Sequence, residues 1–447
     1  MKNGSSGKPN ESGKGQTPIG LKTLVSEFRM MLKYRDLTVL NFAILVSMIG
    51  FGLIMPFIPI YADDFGATDF EIGLMVGLFA VVRLIFSPIG GWTADRFGRK
   101  PSMVFAMFLY SVNMAMFGFA NSLYELFLYR ALQGAASGLM WPVAMTYIGD
   151  VVEEEDRGKA MAMYSLMFAT GTAVGPLLGG TIATYSSLSM AFFVTAAMAL
   201  ISALMLVFWV KESHEINRKD RKRIGIREAL EQFRLRNVTN QPGTFMGISV
   251  GSFTAFFGMA VLYPMLPIYG REAMDLTDFD IGLLFTLIGT IQVVFMFPAG
   301  VFGDRMGKKR LMIIGSAIAA LFSAFIPLSP TFGVLVGVII IYTFGRSIAR
   351  PLFPAIISSL TEKENRGKGM GIYTLAQNLA FALGSTFGGF VSGMWGREYP
   401  FFMAAVVGLL GLVIMIMFVD EDITRPRIDV ETVEEVKAIE ETDGCME

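Results

Sequence analysis

Four arginines lie inside long apolar stretches of the chain, where a permanent charge has the clearest chemical consequence. They are Arg83, Arg130, Arg346 and Arg350. On insertion scales an arginine at the centre of a bilayer costs about 3 kcal/mol, so each one should face protein or a water-filled cavity. No Asp or Glu lies at a comparable depth in these stretches. Cations without a carboxylate partner predict a site for an anion or an anionic head group.

No set of residues in the sequence predicts catalysis or metal binding. The single cysteine, Cys445, cannot form an internal disulfide or a thiolate metal cluster. The single histidine, His214, lies in a polar stretch, where a solvated role is expected. Residues 98–102, GRKPS, lack the spacing of a nucleotide phosphate loop. We therefore expect a protein that is not an enzyme, carries no metal or cofactor and binds no nucleic acid.

The apolar stretches are long enough to cross a membrane. With 53% hydrophobic and 17% charged residues and a mean hydropathy of +0.55, the chain is too apolar for a soluble protein. A helix crosses a bilayer in roughly 20 apolar residues, and no stretch shows the alternation of a barrel strand. Lipid offers no partner for a free backbone N–H or C=O, so these spans must be helices. We predict twelve spans: 38–61, 71–94, 102–119, 123–149, 161–183, 188–210, 245–269, 280–302, 311–328, 332–357, 370–393 and 400–419.

The spans form two copies of six, because the sequence repeats itself 209 residues apart. The segment GWTADRFGRK at 91–100 matches GVFGDRMGKK at 300–309. In the first span of each copy the offset is 208, as for Tyr61 and Tyr269. A repeat that holds its register this long indicates a duplicated six-helix unit. Further pairs at an offset of 209 are Tyr164 and Tyr373, Gly175 and Gly384, and Gly180 and Gly389.

The distribution of positive charge predicts the orientation and the regions of the chain. Of the 37 Lys and Arg, Arg271 and Arg397 lie in connections on one side, four lie in the spans, and the rest lie on the side of both termini. The positive-inside rule places that side in the cytoplasm. In the linker, 224–236 has helical apolar spacing and fits either a helix on the inner membrane face or a solvated helix. The predicted regions are a disordered tail (1–37), an N-terminal bundle (38–210), a basic linker (211–243), a C-terminal bundle (244–420) and an acidic tail (421–447).

Three motifs make the chain resemble the major facilitator superfamily, and especially its drug:proton antiporter branch. They are the duplicated loop just described, RALQGAASG at 130–138 and GTAVGPLLGG at 171–180. The resemblance implies an all-α integral membrane protein, with twelve transmembrane helices in two six-helix pseudo-repeats around a central cavity. It also implies a secondary transporter working by alternating access, with proton-coupled efflux of amphiphilic or drug-like small molecules. We further expect a multi-pass protein of the cell membrane that contacts lipid and works as a monomer.

The duplicated loop predicts one set of gating residues. Gly91 is expected to allow a close helix approach and Gly98 a tight reversal, while Arg99 should pair with Asp150. The resemblance implies that Asp95 meets the N-terminus of the eleventh span and so latches the two halves on the inner side. Alternatively, the basic residues of this loop serve only as positive-inside anchors. The predicted gating residues of both copies are Gly91, Asp95, Arg96, Gly98, Arg99, Asp150, Gly300, Asp304, Arg305 and Gly307.

The motif at 171–180 predicts a second set of gating residues in the fifth span. Three glycines recur every four residues and form a smooth groove, which the resemblance places against the eighth span. A proline in the same helix favours a kink. Ordinary packing of small residues would explain the glycines equally well. The predicted residues are Gly171, Gly175, Pro176, Gly179 and Gly180.

Polar residues at depth predict where a substrate binds. The resemblance implies that the first, fourth, seventh and tenth spans line the cavity. Because residues 41–61 of the first span include no Asp or Glu, this span offers no midplane carboxylate for proton coupling. Three alternatives stay open: transport of an organic or lipid-linked anion, uptake by facilitated diffusion, and a non-transporting receptor or scaffold. The candidate substrate-binding residues are Arg83, Arg130, Gln133, Trp141, Gln292, Tyr342, Arg346, Arg350, Gln377 and Asn378.

Overall fold

The computed structural model describes residues 33–213, 238–239, 241–362 and 365–419, apart from the side chains of Met296, Phe297 and Asp304. Three sequence expectations fall wholly or largely outside the described residues, namely the N-terminal tail, the linker segment 224–236 and the acidic C-terminal tail.

The described residues form fourteen α-helices. The first predicted span is divided into two helices at Pro56 and the tenth is divided at Pro351. Proline lacks a backbone N–H, so it interrupts the helical hydrogen-bond ladder at both places. The helices are α1 (Arg35–Ile54), α2 (Phe57–Asp64), α3 (Asp69–Phe97), α4 (Arg99–Gly118), α5 (Leu123–Val151), α6 (Arg157–Tyr185), α7 (Leu188–Trp209), α8 (Pro242–Ala273), α9 (Asp278–Met306), α10 (Lys308–Phe325), α11 (Phe332–Ala349), α12 (Leu352–Leu360), α13 (Arg366–Trp395) and α14 (Tyr399–Phe418).

Nine helical stretches of the described chain are long and apolar enough to cross a membrane. The helices α5, α10 and α13 fall outside this set, and each packs along helices that belong to it. The all-helical membrane architecture is therefore confirmed, and the number of twelve spans stays a prediction.

Equivalent residues begin and end equivalent helices in the two halves, the N half (38–210) and the C half (244–420). Thr68 caps α3 in a capping box with Glu71, and Thr277 caps α9 in the same way with Asp280. Each of these long helices then reverses into the next at a glycine with positive φ, at 105° in Gly98 and 90° in Gly307. The helix boundaries thus follow from the repeated sequence.

The packing of the helices repeats with the sequence. In the N half α1 packs on α6, α3 on α5, and α4 on α7; in the C half α8 packs on α13, α9 on α11, and α10 on α14. The two halves meet through α3 with α13 and α6 with α9, which are again equivalent pairs. Exposed apolar side chains such as Phe108, Leu204, Leu321 and Leu410 cover α4, α7, α10 and α14, as expected for helices that face lipid.

The two halves are joined at one end of the bundle. We name this the acidic end, because Asp63, Asp69 and Glu272 lie there, and the opposite end, with Arg99 and Lys308, the basic end. At the acidic end one hydrophobic core runs through both halves; at the basic end the C half has a core cluster of its own, around Phe245, Phe353 and Ile356. Within the described residues, the hydrogen bonds and ion pairs that join the halves lie at the acidic end. The halves are therefore closed together at the acidic end and separate at the basic end.

Candidate functional site

The loop between α3 and α4 holds the ion pair that the sequence predicts. Arg99 donates from Nε to Oδ2 of Asp150 at 3.1 Å, and its Nη1 pairs with Asp95 one turn earlier. Arg99 itself is buried. Because Asp150 ends α5 and Asp95 ends α3, this cluster fixes two neighbouring helices of the N half at the basic end.

Two expectations for this loop are wrong in the observed conformation. Asp95 was expected to contact the N-terminus of the eleventh span, but its side chain pairs with Arg99 of its own half and stays 55% exposed, because the halves are apart at this end. Gly91 was expected to allow a close helix approach, but a Cβ at this position would meet nothing. The close contact belongs to Gly90, where a Cβ would lie 2.8 Å from the carbonyl oxygen of Gly138 in α5.

The remaining residues of the duplicated loop are more exposed. Arg96 lies over the rings of Trp92 and Phe97, with its Cζ 5.3 and 5.5 Å from their centroids. In the second copy Gly300 has open space around it and Arg305 is exposed, while the side chain of Asp304 lies outside the described part of the chain. Exposed cations at this end fit the positive-inside alternative for Arg96 and Arg305.

Glu212, at the start of the linker, is a residue that sequence reasoning missed. Its two carboxylate oxygens accept hydrogen bonds from the backbone N–H groups of Arg99 at 2.9 Å and Lys100 at 3.1 Å. A carboxylate at a helix N-terminus is favoured by the free N–H groups and the helix dipole. The sequence did contain a signal for this contact. The first turn of α4 holds no acidic residue of its own, so a carboxylate from elsewhere in the chain could be expected at its N–H groups.

The glycines of α6 contact a different helix from the one expected. Cβ atoms at Gly171, Gly175 and Gly179 would collide with α1, so this groove packs inside the N half rather than against the eighth span. A neighbouring face of α6 makes the contact between the halves. There a Cβ at Gly180 would lie 2.5 Å from the Asp278 carbonyl oxygen, and one at Gly282 would lie 2.5 Å from that of Pro176. Gly180 and Pro176 thus lie at the expected contact with the eighth span and the other three do not, while a gating role for the five residues stays a prediction.

A network of ions joins the halves at the acidic end. In the loop between α13 and α14, Arg397 contacts Asp69 at 3.0 Å and Asp63 at 3.7 Å, both in the N half, and pairs with Glu272 of its own half. Separately, Arg271 contacts Asp64 at 2.9 Å. The hydroxyl of Ser392 also donates to Asp69 at 2.6 Å. We name Asp63, Asp64, Asp69, Arg271, Glu272 and Arg397 the acidic-end lock.

The acidic-end lock was not predicted, although its signal was present. Arg271 and Arg397 are the two basic residues of that side of the membrane, and both reach across to the other half. Burial raises the pKa of the Asp63 carboxyl; Arg397 opposes this, while Glu272, Asp64 and Asp69 add to it. Asp63 lies beyond the predicted end of the first span and is therefore open to protons from the acidic side.

Two of the ten substrate candidates are enclosed within the N half. Arg130 is 1% exposed and donates to the amide oxygen of Gln133, which in turn donates to the hydroxyl of Tyr110. The guanidinium also lies over the ring of Phe79, 4.6 Å from the centroid. In this conformation the two residues brace α3, α4 and α5 and are not exposed to a substrate.

The other N-half candidates are partly exposed. Arg83 lies on α3 near Tyr164 of α6, and the structure gives it no carboxylate partner among the described residues. Trp141 packs edge-on against Phe168, which places an aromatic pair between α5 and α6. These side chains can line the space between the halves.

The C-half candidates lie in two places. Gln292, Gln377 and Asn378 are partly exposed on α9 and α13, and the Asn378 amide donates to the Thr374 carbonyl oxygen of its own helix. Tyr342, Arg346 and Arg350 line a pocket inside the C half. Arg346 contacts the sulfur of Met259, and the guanidinium of Arg350 lies 5.8 Å from the ring centroid of Phe256. Within the described ranges no group of three His, Cys, Asp or Glu is placed to hold a metal ion.

Comparison with known proteins identifies the family of the chain. A sequence model of the Major Facilitator Superfamily matches residues 40–284 and again 248–441. Multidrug resistance protein 2 of Bacillus subtilis is 28% identical over 373 residues, which are 83% of this chain and 91% of that protein. Quinolone resistance protein NorA of Staphylococcus aureus is 24% identical over 387 residues, 86% of this chain and 96% of that protein.

Solved structures show the same fold. The human organic anion transporter MFSD10 superposes with a TM-score of 0.64 at 18% identity, over 85% of this chain and 99% of that one. A POT family transporter in complex with 5-aminolevulinic acid gives 0.74 at 16% identity, over 88% and 97%. The duplicated six-helix architecture, the repeated loop and the match over most of the sequence agree, and the chain belongs to the Major Facilitator Superfamily, a family of membrane transporters for small molecules.

Proposed function

We propose that this protein exports amphiphilic, drug-like small molecules across the cell membrane by alternating access, in exchange for protons. The observation that carries the proposal is that the two halves are closed together at one end of the bundle and separate at the other. A secondary transporter needs this asymmetry, because one opening must close before the other forms. Curated relatives named as multidrug resistance proteins support export of drug-like compounds.

The proposed orientation of the protein in the membrane follows from the distribution of its positive charges. The basic end, with the loop around Arg99 and the first and last described residues, Lys33 and Val419, faces the cytoplasm by the positive-inside rule. The conformation is then open to the inside. The aromatic and polar side chains Arg83, Trp141, Gln292 and Gln377 are the proposed contacts for an amphiphilic substrate in the open space.

The carboxylates of the acidic-end lock suggest how a proton could act as the coupling ion. Among the described residues of the helices, the carboxylates lie near helix ends, so a proton has no acceptor near the midplane. Asp63, with its raised pKa, is the acceptor that faces the other side. Protonation there changes the charge of the contact between the halves, so it links the pH on the acidic side to the exchange between conformations.

Transport in vesicles tests the proposal. Purified protein is reconstituted with a fluorescent cationic dye, and dye movement is followed with and without an imposed pH gradient; protein-free vesicles give the leak. We expect dye movement against its own gradient only when the pH gradient is present. Equal movement after the pH gradient has been collapsed would indicate facilitated diffusion, and an organic anion moved in place of the dye would indicate anion transport. No movement above the leak for either would leave the receptor or scaffold alternative.

A further inference from the structure

Among the described residues, the C half contains a pocket of its own. It lies inside the bundle between α8, α10, α11 and α14, and its lining residues all come from the C half. We name it the C-half pocket and define it by Phe256, Ser316, Ala319, Tyr342, Arg346 and Arg350. It is thus distinct from the space between the two halves.

The internal repeat explains why the pocket exists. At the offset of 209, Ala319 is equivalent to Tyr110 and Ser316 to Met107. In the N half both larger side chains are buried, and the tyrosine hydroxyl accepts a hydrogen bond from Gln133. An alanine and a serine at the equivalent positions leave this volume empty in the C half. The two smaller residues therefore provide part of the volume of the pocket.

The pocket concentrates positive charge without a protein anion. Arg346 and Arg350 lie one turn apart on the same helix face, and the structure gives neither a carboxylate partner within the described residues. Arg346 contacts the sulfur of Met259 and interacts with the hydroxyl of Tyr342, and the guanidinium of Arg350 lies near the ring of Phe256. The hydroxyl of Ser316 is buried and has no hydrogen-bond partner. An anion that accepts hydrogen bonds from the two like charges and the unused donor would stabilise all three groups in this largely apolar site.

The size of the pocket limits the anion. Its volume is about 40 Å³, which holds about three waters at roughly 10–15 Å³ each. A drug-sized ligand needs several hundred Å³, whereas a carboxylate has three heavy atoms. Ala320, Gly408 and Met415 form apolar walls beside the two arginines. These walls fit the beginning of an apolar body attached to the charged group.

We propose that the C-half pocket binds the carboxylate of an organic acid, with Arg346 and Arg350 pairing with its oxygens and Ser316 donating a third hydrogen bond. The shared chemistry is a carboxylate-sized anion, from a small free acid or from the head of a larger amphiphile. The proposal concerns binding within one half, so it holds whether or not the chain exports drugs with protons.

Binding to the purified full-length protein in detergent tests the site. The probes are acetate, benzoate and the neutral analogue benzamide, at constant ionic strength, with affinity from calorimetric titration and stabilisation from the melting temperature. We expect benzoate to bind and to raise the melting temperature, and benzamide to do neither. Acetate as tight as benzoate would identify a small free acid as the source, and benzoate at least about tenfold tighter would identify an acid with an apolar body.

The internal repeat supplies the matched variants. Ser316→Met and Ala319→Tyr restore the residues of the N half, where the same fold accommodates them, and should abolish benzoate binding with both arginines intact. Arg346→Gln and Arg350→Gln should each weaken it at least about tenfold, the scale for losing a charge-assisted hydrogen bond. Arg366→Gln removes an exposed charge outside the pocket and should leave the affinity unchanged.

Three outcomes would overturn the proposal. They are benzamide binding as tightly as benzoate, no benzoate binding to the wild-type protein, and unchanged benzoate affinity in Ser316→Met and Ala319→Tyr. If the arginine variants fail to fold, benzoate binding by Ser316→Met and Ala319→Tyr tests the proposal. If those two variants fail to fold, benzoate binding by Arg346→Gln and Arg350→Gln tests it.

Discussion

Replacing Arg397 by Gln should open the acidic end, because this one side chain holds most of the acidic-end lock. Two of its contacts go to Asp69, whose side chain is only 10% exposed. A charge-assisted hydrogen bond in such a place contributes about 1.5–3 kcal/mol net. The contact with Asp63, whose side chain is 24% exposed, contributes at most about 0.5 kcal/mol, and the pair with Glu272 lies within the C half and does not hold the halves together.

These contributions set the size of the expected effect. Together, the contacts with Asp69 and Asp63 amount to about 1.5–3.5 kcal/mol, which corresponds to about a 10- to 400-fold shift from the conformation closed at the acidic end towards the one open there. Arg271→Gln is the matched control. It also removes one cation from the contact between halves, but its pair with Asp64 has partners that are 38% and 44% exposed. A pair of that kind is worth at most about 1 kcal/mol, or about a fivefold shift.

Distances between the halves measure the shift. Spin labels at Tyr124 and Gly333, both exposed at the acidic ends of α5 and α11, report the separation by double electron–electron resonance after Cys445→Ser. We expect a longer distance to become populated in Arg397→Gln and far less so in Arg271→Gln. If the two variants give the same distance distribution, or if neither differs from the wild-type protein, the lock does not hold the halves together and the reasoning fails.

Three further predictions concern the other contacts. Gly282→Ala should push α9 away from α6 and reduce transport. The control, Gly91→Ala, adds a Cβ in open space and should be tolerated. Equal transport activity of the two variants would show that close packing of α9 on α6 is not needed. Arg99→Ala and Asp150→Ala should be non-additive in transport rate if their ion pair acts as a unit, and additive losses would separate them. The raised pKa of Asp63 means that this carboxyl binds its proton more tightly in this conformation than in one that exposes it to water. Lowering the pH should therefore favour the conformation closed at the acidic end, and the effect should saturate below about pH 4, where the water-exposed carboxyl is protonated as well. The variant Asp63→Asn should remove this pH dependence of the label distance, and an unchanged dependence would exclude this carboxyl.

Much of the helical framework could be predicted from hydropathy alone. The predicted spans 102–119 and 188–210 agree with α4 and α7 to within a few residues, because lipid-facing helices are apolar throughout. The breaks were harder to predict. Pro56 divides the first span, yet its repeat mate Pro264 lies inside the continuous helix α8. Since the two prolines occupy equivalent positions, the local sequence does not decide whether a helix is interrupted.

The candidate site was predictable where two partners lie close together in one half and stay paired whichever end of the bundle is open. Arg99 and Asp150 end neighbouring helices of one half, so their pairing follows from the sequence. The partner of Asp95 could not be predicted, because it depends on which end of the bundle is open. The glycines of α6 show a different limit. Their spacing defines one smooth helix face, but periodicity does not say which of two neighbouring helices that face contacts.

The acidic-end lock shows why the two copies had to diverge. At the offset of 208 that holds for this part of the chain, Asp63 is equivalent to Arg271 and Asp64 to Glu272. In a duplicated bundle with pseudo-twofold symmetry, the segment 63–64 of one half lies close to the equivalent segment 271–272 of the other, as the pair between Arg271 and Asp64 shows. Identical copies would therefore oppose like charges at the contact and separate the halves. A charge reversal in one copy converts that repulsion into the pair between Arg271 and Asp64. Sites where the repeat breaks in charge, as here, or in volume, as in the C-half pocket, are thus the places where a duplicated transporter can acquire a function that neither copy has alone.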